Sequence, residues 1–193
     1  MNMRFFVPQD TTALALGSNS VASMLAGELK ERGLNDEIIR NGSRGMFWLE
    51  PLLEVEYGDS RLAFGPVTPS DVSSILDCLS SLEKNTKSAN HPLHLGEVDE
   101  IDYLARQQRL TFSRAGVGDP LCIKNYQNLA GFTGLARAVK LESQEVVDQL
   151  KDSGLRGRGG AAFPAGIKWQ TVLDTPGEQK YIVCNADEGD SGT

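Results

Sequence analysis

Five glycines, two arginines, a lysine and two aromatic residues crowd into residues 153–169. That composition leaves the stretch almost nothing with which to build a core. The rest of the chain has to fold around a segment that supplies backbone and charge instead of buried side chains. Glycine permits positive backbone angles and lets a ligand approach the main chain closely. Guanidinium and ammonium groups beside such a loop offer donors to phosphate oxygens. The stretch therefore reads as an anion cradle. A flexible linker is the bland alternative, but linkers are usually Gly/Ser-rich or charged, without Phe, Trp and Lys at their end. Gly157-Arg158-Gly159-Gly160 is not closed by Gly-Lys-Ser/Thr, so it is no P-loop. It follows a helical pattern and not a strand, so it is no standard dinucleotide fingerprint either.

The 193 residues allow one large domain or two small ones, and 40% hydrophobic with 23% charged residues is ordinary for a globular protein. A net charge of −7 excludes general nucleic-acid binding, which needs a basic face. No apolar run approaches the ~20 residues of a membrane span. The apolar start ahead of Gln9-Asp10 is too short for a signal peptide, so a cytoplasmic location without membrane insertion is expected. Cys78, Cys122 and Cys184 are scattered, with no C-x-x-C pair and no His at ligand spacing. Unpaired thiols of this kind suit a reducing compartment and small buried apolar positions, so no metal site is expected in this chain. His91 and His94, flanking Pro92-Leu93, read as surface-loop residues.

Along the chain, residues 4–7 predict a strand. Ser20 is expected to cap a helix to Arg32, with Val21, Met24, Leu25 and Leu29 on one face and Gly33 as its stop. A strand at 37–40 leads to the turn 41–45, and 49–57 with 61–64 form a hairpin about Gly58-Asp59-Ser60. Pro69 opens a second helix with Val72, Ile75, Leu76, Leu79 and Leu82 as its stripe. This β-α-β-β-β-α order is that of a small thioredoxin-like domain over residues 1–84. Residues 85–100 lose periodicity and read as an interdomain linker or long surface loop. From 101 onward the pattern gives a short helix at 102–111, a rigid turn at 116–120, a helical stretch near 135–140 and a helix capped by Ser143. Val146, Val147 and Leu150 face inward there, and Gly154 ends it. A last helix begins at Gly166, where the glycine-rich loop would present free N–H groups. Residues 180–184 predict a buried strand.

That strand delivers Asn185, Asp187, Glu188 and Asp190, amide and carboxylate groups at a strand's C-terminal end. Such acceptors suit polyol hydroxyls and the polar edge of a flavin; a solvated acidic turn or a Ca²⁺ loop is the alternative, although the spacing is not that of an EF-hand. The pair of motifs at 157–169 and 184–193 resembles the FMN- and NADH-binding subunit of respiratory complex I. It also resembles the diaphorase subunits of NAD-reducing hydrogenases and NAD-dependent formate dehydrogenases. Among these branches the chain looks most like the beta subunit of molybdenum-containing formate dehydrogenase, in which a thioredoxin-like domain precedes the flavin domain.

The resemblance implies an α/β fold: a thioredoxin-like domain followed by the start of an FMN-binding domain over 101–193. It implies that Gly157, Arg158, Gly159 and Gly160 wrap FMN and that Lys168 reaches its phosphate or ring. Phe163 would stack on NAD(H), and Asn185, Asp187 and Glu188 would hold ribityl hydroxyls and the isoalloxazine. Asp190 stands where many complex I sequences carry Glu, near the nicotinamide nucleotide. The implied partners are a molybdenum-containing alpha subunit and a [2Fe–2S] gamma subunit.

Two departures go with the resemblance. Related thioredoxin-like ferredoxins hold a [2Fe–2S] cluster on four cysteines, whereas here Ser43 and Phe47 occupy the last two ligand positions and no cysteine precedes Cys78. The front domain is therefore expected to dock neighbouring subunits. Further flavin contacts and the cysteines of a [4Fe–4S] cluster are expected beyond Thr193, so the chain reads as an N-terminal fragment, inactive by itself. The competing readings are a complex I or hydrogenase flavoprotein subunit, and a thioredoxin-like interaction module with a vestigial nucleotide loop.

Overall fold

The computed structural model describes residues 3–58, 60–82, 88–158 and 160–184. Two compact units divide the chain between Leu129 and Ala130. In the first, β1 (Arg4–Phe6) is followed by the short helix α1 (Thr11–Ala15), α2 (Ser18–Glu31) and β2 (Glu37–Ile39). A hairpin of β3 (Leu53–Tyr57) and β4 (Ser60–Phe64) leads to α3 (Val72–Ser80) and β5 (His94–Glu97). The sheet order is β2-β1-β3-β4-β5. β1 runs parallel to β2, and the other pairs are antiparallel. With α2 crossing over between the two parallel strands, this is the expected thioredoxin-like arrangement.

Strand alternation sorts the sheet into two different faces. Phe5, Leu53, Val55, Leu62 and Phe64 point to one face, where Val21, Leu25 and Leu29 of α2 and Val72, Ile75, Leu76 and Leu79 of α3 complete the main core. Met24, expected on the inner face of α2, is exposed. α2 begins at Ser18 behind Gly17, and Gly33 takes a left-handed φ of 67° just past its end, the expected stop. Thr68 and Asp71 form a capping box ahead of α3. α1 had no counterpart in the periodicity, because five residues are too few to show one; Asp10 caps it through the Thr12 and Ala13 amides.

The opposite face is only partly apolar. Met46, Leu52, Ala63, Val98 and Leu104 make a small second core. Beside it Glu54 is fully buried, gripped by Arg44 Nε and Nη2 at 2.8 and 2.9 Å and by Arg61 Nη1 at 3.1 Å. Arg61 also lies 3.5 Å above the Phe6 ring centroid and donates to Gly116 O and Val117 O. Buried Asn41 donates to Gly116 O at 2.9 Å, and Gln9 donates to Asp119 Oδ1 at 3.0 Å. The turn at 116–119 is thereby pinned to the sheet. A Cβ at Gly116 would stand 2.5 Å from Arg44 Cδ and Nε, so only glycine lets the turn settle on that arginine. Nearby, burial pushes the Glu50 carboxyl above its usual range, opposed by hydrogen bonds from Leu52 N–H and the Ser43 hydroxyl.

This packing moves the expected boundary. The stretch read as a linker contains β5, and α4 (Asp102–Ala105) and α5 (Ile123–Asn128) belong to the first unit, which reaches Leu129. The short helix expected to run to 111 stops at Ala105, leaving the backbone to 120 free to form the pinned turn. His94 is no solvated loop residue either: it packs at 5.3 Å against Phe64, accepts the Ala89 N–H on Nδ1, and has a buried Nε2 without a hydrogen bond among the described residues.

Two outcomes test this packing. Glu54→Ala leaves two arginines facing an empty buried site and should cost about 3–5 kcal/mol in urea unfolding. Glu56→Ala, which loses pairs with a half-exposed Arg4 and with an Arg61 that keeps Glu54 as its partner, should cost less, about 1 kcal/mol. Burial, with the His91 charge adding to it, lowers the His94 pKa from its ordinary 6.5. The unfolded chain therefore takes up the proton first. Stability should hold above that ordinary value and fall as pH drops through and below it, a slope that His94→Asn should flatten.

Candidate functional site

The second unit carries α6 (Thr133–Ala138), α7 (Ser143–Asp152) and α8 (Ala165–Asp174), with the glycine-rich loop between α7 and α8. α7 starts with a capping box of Glu142 and Glu145, so the cap is one residue earlier than the Ser143 expected. Val147 is buried, with Val146 and Leu150 partly so, as the periodicity implied. Gly154, with φ 65°, turns the chain out of the helix.

The loop has a pinched neck. Arg156 and Pro164 form an antiparallel bridge, the Gly157 amide donates to Phe163 O at 2.8 Å, and the Ala165 amide donates to Leu155 O at 2.9 Å. Gly160 (φ 51°) and Ala162 (φ 46°) are left-handed within it, and at Ala162 that is a strained position for a residue with a Cβ. Each arginine spends one donor on the loop: Arg156 Nε on Ala162 O at 2.6 Å, Arg158 Nη1 on Arg156 O at 2.8 Å. Lys168, from the first turn of α8, stands with Nζ 5.9 Å from the Phe163 ring centroid. Among the described residues no carboxylate forms an ion pair with Arg156, Arg158 or Lys168.

Gly157, Phe163 and Lys168 are brought together. A Cβ added at Gly157 would lie 3.5 Å from Phe163 O and 4.0 Å from Lys168 Nζ, filling the space that these groups face. The N-terminus of α8 carries no side-chain cap; the Ala165 amide is taken up by Leu155 O, and the amides after it meet no capping side chain. An open backbone, cations that no carboxylate among the described residues pairs and an uncapped helix start fit an anionic phosphate beside a flat ring. Arg158 and Gly160 share the same loop, while Gly159, Asn185, Asp187, Glu188 and Asp190 lie outside the described residues.

Sequence reasoning missed the role of Gly166. A Cβ there would meet Lys151 Cγ at 2.6 Å, Cα at 2.9 Å and N at 3.0 Å, so α8 crosses α7 at backbone contact. The glycine, twelve residues after the one that ends α7, was the available signal. The buried strand expected at 180–184 is corrected. Those residues are in no strand, and Ile182 and Val183 are 99% and 88% exposed, because no strand among the described residues of this unit is available to pair with them. No group of metal-ligating side chains occurs among the described residues. None of their helices is long and apolar enough to cross a membrane.

Residues 150–193 match the family described as the Nuo51 FMN-binding domain. The C-terminal part of the chain is similar to the complex I flavoproteins. The HndC protein of the NADP-reducing hydrogenase of Solidesulfovibrio fructosivorans is 52% identical over 85 residues, 44% of this chain and 17% of that protein. An NADH-quinone oxidoreductase subunit of Rhizobium meliloti is 44% identical over 78 residues, 40% of this chain and 18% of the relative. The HoxS alpha subunit of the NAD-reducing hydrogenase of Cupriavidus necator is 32% identical over 133 residues, 69% of this chain and 21% of its own length. The chain thus spans about a fifth of the length of these relatives. A solved thioredoxin-like [2Fe–2S] ferredoxin from Aquifex aeolicus aligns with 48% of this chain and 96% of its own, at 16% identity and a TM-score of 0.36.

Gly166→Ala should force α7 and α8 apart and destabilise their pairing by about 1–3 kcal/mol. The loss should register as faster amide exchange across 143–174 with 4–64 unchanged.

Proposed function

We propose that this chain is part of an NAD(H)-oxidising or NAD⁺-reducing flavoprotein subunit and that residues 153–169 form one wall of its FMN and NAD(H) site. The single observation that carries the reading is the convergence of Gly157, Phe163 and Lys168, which no carboxylate among the described residues pairs, at the uncapped start of α8, inside the segment that matches an FMN-binding domain. Gly157, Gly159 and Gly160 let the ligand reach the backbone. Lys168 and the free donors of Arg158 offset phosphate charge, and Phe163 offers its ring to the nicotinamide nucleotide. Asn185, Asp187 and Glu188 hold the polyol and the ring edge, and Asp190 takes a position near the nicotinamide. FMN, when bound, supplies the means to exchange a hydride with the nicotinamide and single electrons with iron–sulfur carriers. The chain's own task is to hold the two ring systems in register and to screen their phosphates.

The finer reading is a cytoplasmic, NAD-dependent formate dehydrogenase in which this subunit also carries a [4Fe–4S] cluster outside the present residues. Its partners are a molybdenum-containing alpha subunit and a [2Fe–2S] gamma subunit. The thioredoxin-like unit, without cluster cysteines, docks these neighbours, and the flavin domain begins after it.

The complex purified from its native host should contain FMN and reduce NAD⁺ with formate. Lys168→Ala should weaken FMN binding roughly 10- to 100-fold, the scale of one charged hydrogen bond. A complex that reduces dyes with NADH but ignores formate rejects the finer reading alone. A complex that neither contains FMN nor can be loaded with it overturns the whole.

A further inference from the structure

We propose that Arg156 is a positioning residue that aims the Phe163 ring at the nicotinamide nucleotide, an inference that rests on residues 153–169 being one wall of the flavin and nucleotide site. Phe163 is 47% exposed, so packing alone does not fix its ring and the backbone that carries it has to. Pro164 restricts Phe163 itself to extended backbone. The Phe163 carbonyl accepts the Gly157 amide at 2.8 Å, and a Cβ at 157 would lie 3.7 Å from the Phe163 nitrogen, so the chain at 163 is held against 157. Ala162 is the joint left over. Its φ of 46° is left-handed, a region that glycine enters freely and that costs a residue with a Cβ.

Arg156 holds that joint. Its Nε donates to the Ala162 carbonyl at 2.6 Å. A bond from a charged guanidinium is strong enough to offset the strain of one left-handed alanine. Arg156 and Gly157 thus hold the successive carbonyls of 162 and 163, and the ring leaves the chain in a set direction. A loop ordered beforehand does not have to be ordered by its ligand, which raises affinity. Without the Arg156 bond, Ala162 relaxes toward ordinary backbone angles and the ring loses its direction. The nucleotide that stacks on Phe163 is then bound less well, whereas FMN keeps Gly157, Gly160 and Lys168. Glycine at 162 takes the left-handed turn without a steric penalty and makes the brace dispensable.

NADH-dependent dye reduction by the complex purified from its native host, with the variants made in this chain, tests the role. Arg156→Ala should raise the KM for NADH about tenfold, the scale of one hydrogen bond, with kcat and FMN content kept. The retained FMN shows that the loop is folded. Ala162→Gly alone should leave KM within about twofold of the parent, and adding it to Arg156→Ala should bring KM back to that level. A KM unmoved by Arg156→Ala overturns the inference. So does a raised KM that Ala162→Gly fails to lower, because Arg156 would then meet the nucleotide directly. Loss of FMN from Arg156→Ala that Ala162→Gly does not restore marks a phosphate contact and overturns it as well. These three results leave the flavoprotein reading standing; a parent complex that holds no FMN and oxidises no NADH removes that reading and the inference with it.

Discussion

The buried carboxylate of Glu54 is the constraint on which the first unit depends. An ion taken fully out of water is stable only when its partners are already in position, and here two arginines, one from a turn and one from a strand, supply them. Arg44 arrives from the turn after β2 and Arg61 from the hairpin strand beside Glu54. Arg61 in turn has donors left over, and these recruit the carbonyls of Gly116 and Val117. One buried charge thereby draws a segment more than fifty residues away onto the sheet and covers the face that the helices leave open. The apolar residues of that second face are few, so specificity comes from polar groups there and from hydrophobic burial on the other side.

The second unit solves a different problem with little core. Its two principal helices approach until the backbone of Gly166 touches Lys151, and the short loop between them is closed at its neck by main-chain hydrogen bonds. The loop can then be made of glycines and cations without depending on a core. Rigidity at the neck and openness at the tip belong together: the neck fixes where α8 begins, and the tip exposes backbone and charge beside that helix start.

Much of this was legible in the sequence where the periodicity was long. The stripe Val72, Ile75, Leu76 and Leu79 stands where the pattern put it, the hairpin forms although its first strand begins at Leu53 and not at 49, and Gly33 and Gly154 stop their helices with left-handed turns. What escaped depended on distant partners. β5 has four residues and pairs with a strand thirty positions earlier, so nothing local marks it as a strand. Nothing local marks Glu54 in its strand as buried, because the arginines that hold it come from elsewhere. Residues 180–184 show the reverse error: an apolar run implies burial only if something exists to bury it against. The anion-cradle reading of 153–169 came from composition, but the contact that makes Gly166 indispensable is a helix crossing that composition cannot express.

The first unit is therefore a braced scaffold, and the second carries an open, cationic loop. The central claim is that this loop is a flavin cradle. Amide exchange of the intact native protein, with FMN bound and after FMN is removed, examines it most directly. FMN is expected to slow exchange at 153–169, strongest around Gly157 and the first turn of α8, while 4–64 is unaffected. Exchange at 153–169 that is the same with and without FMN would contradict the claim.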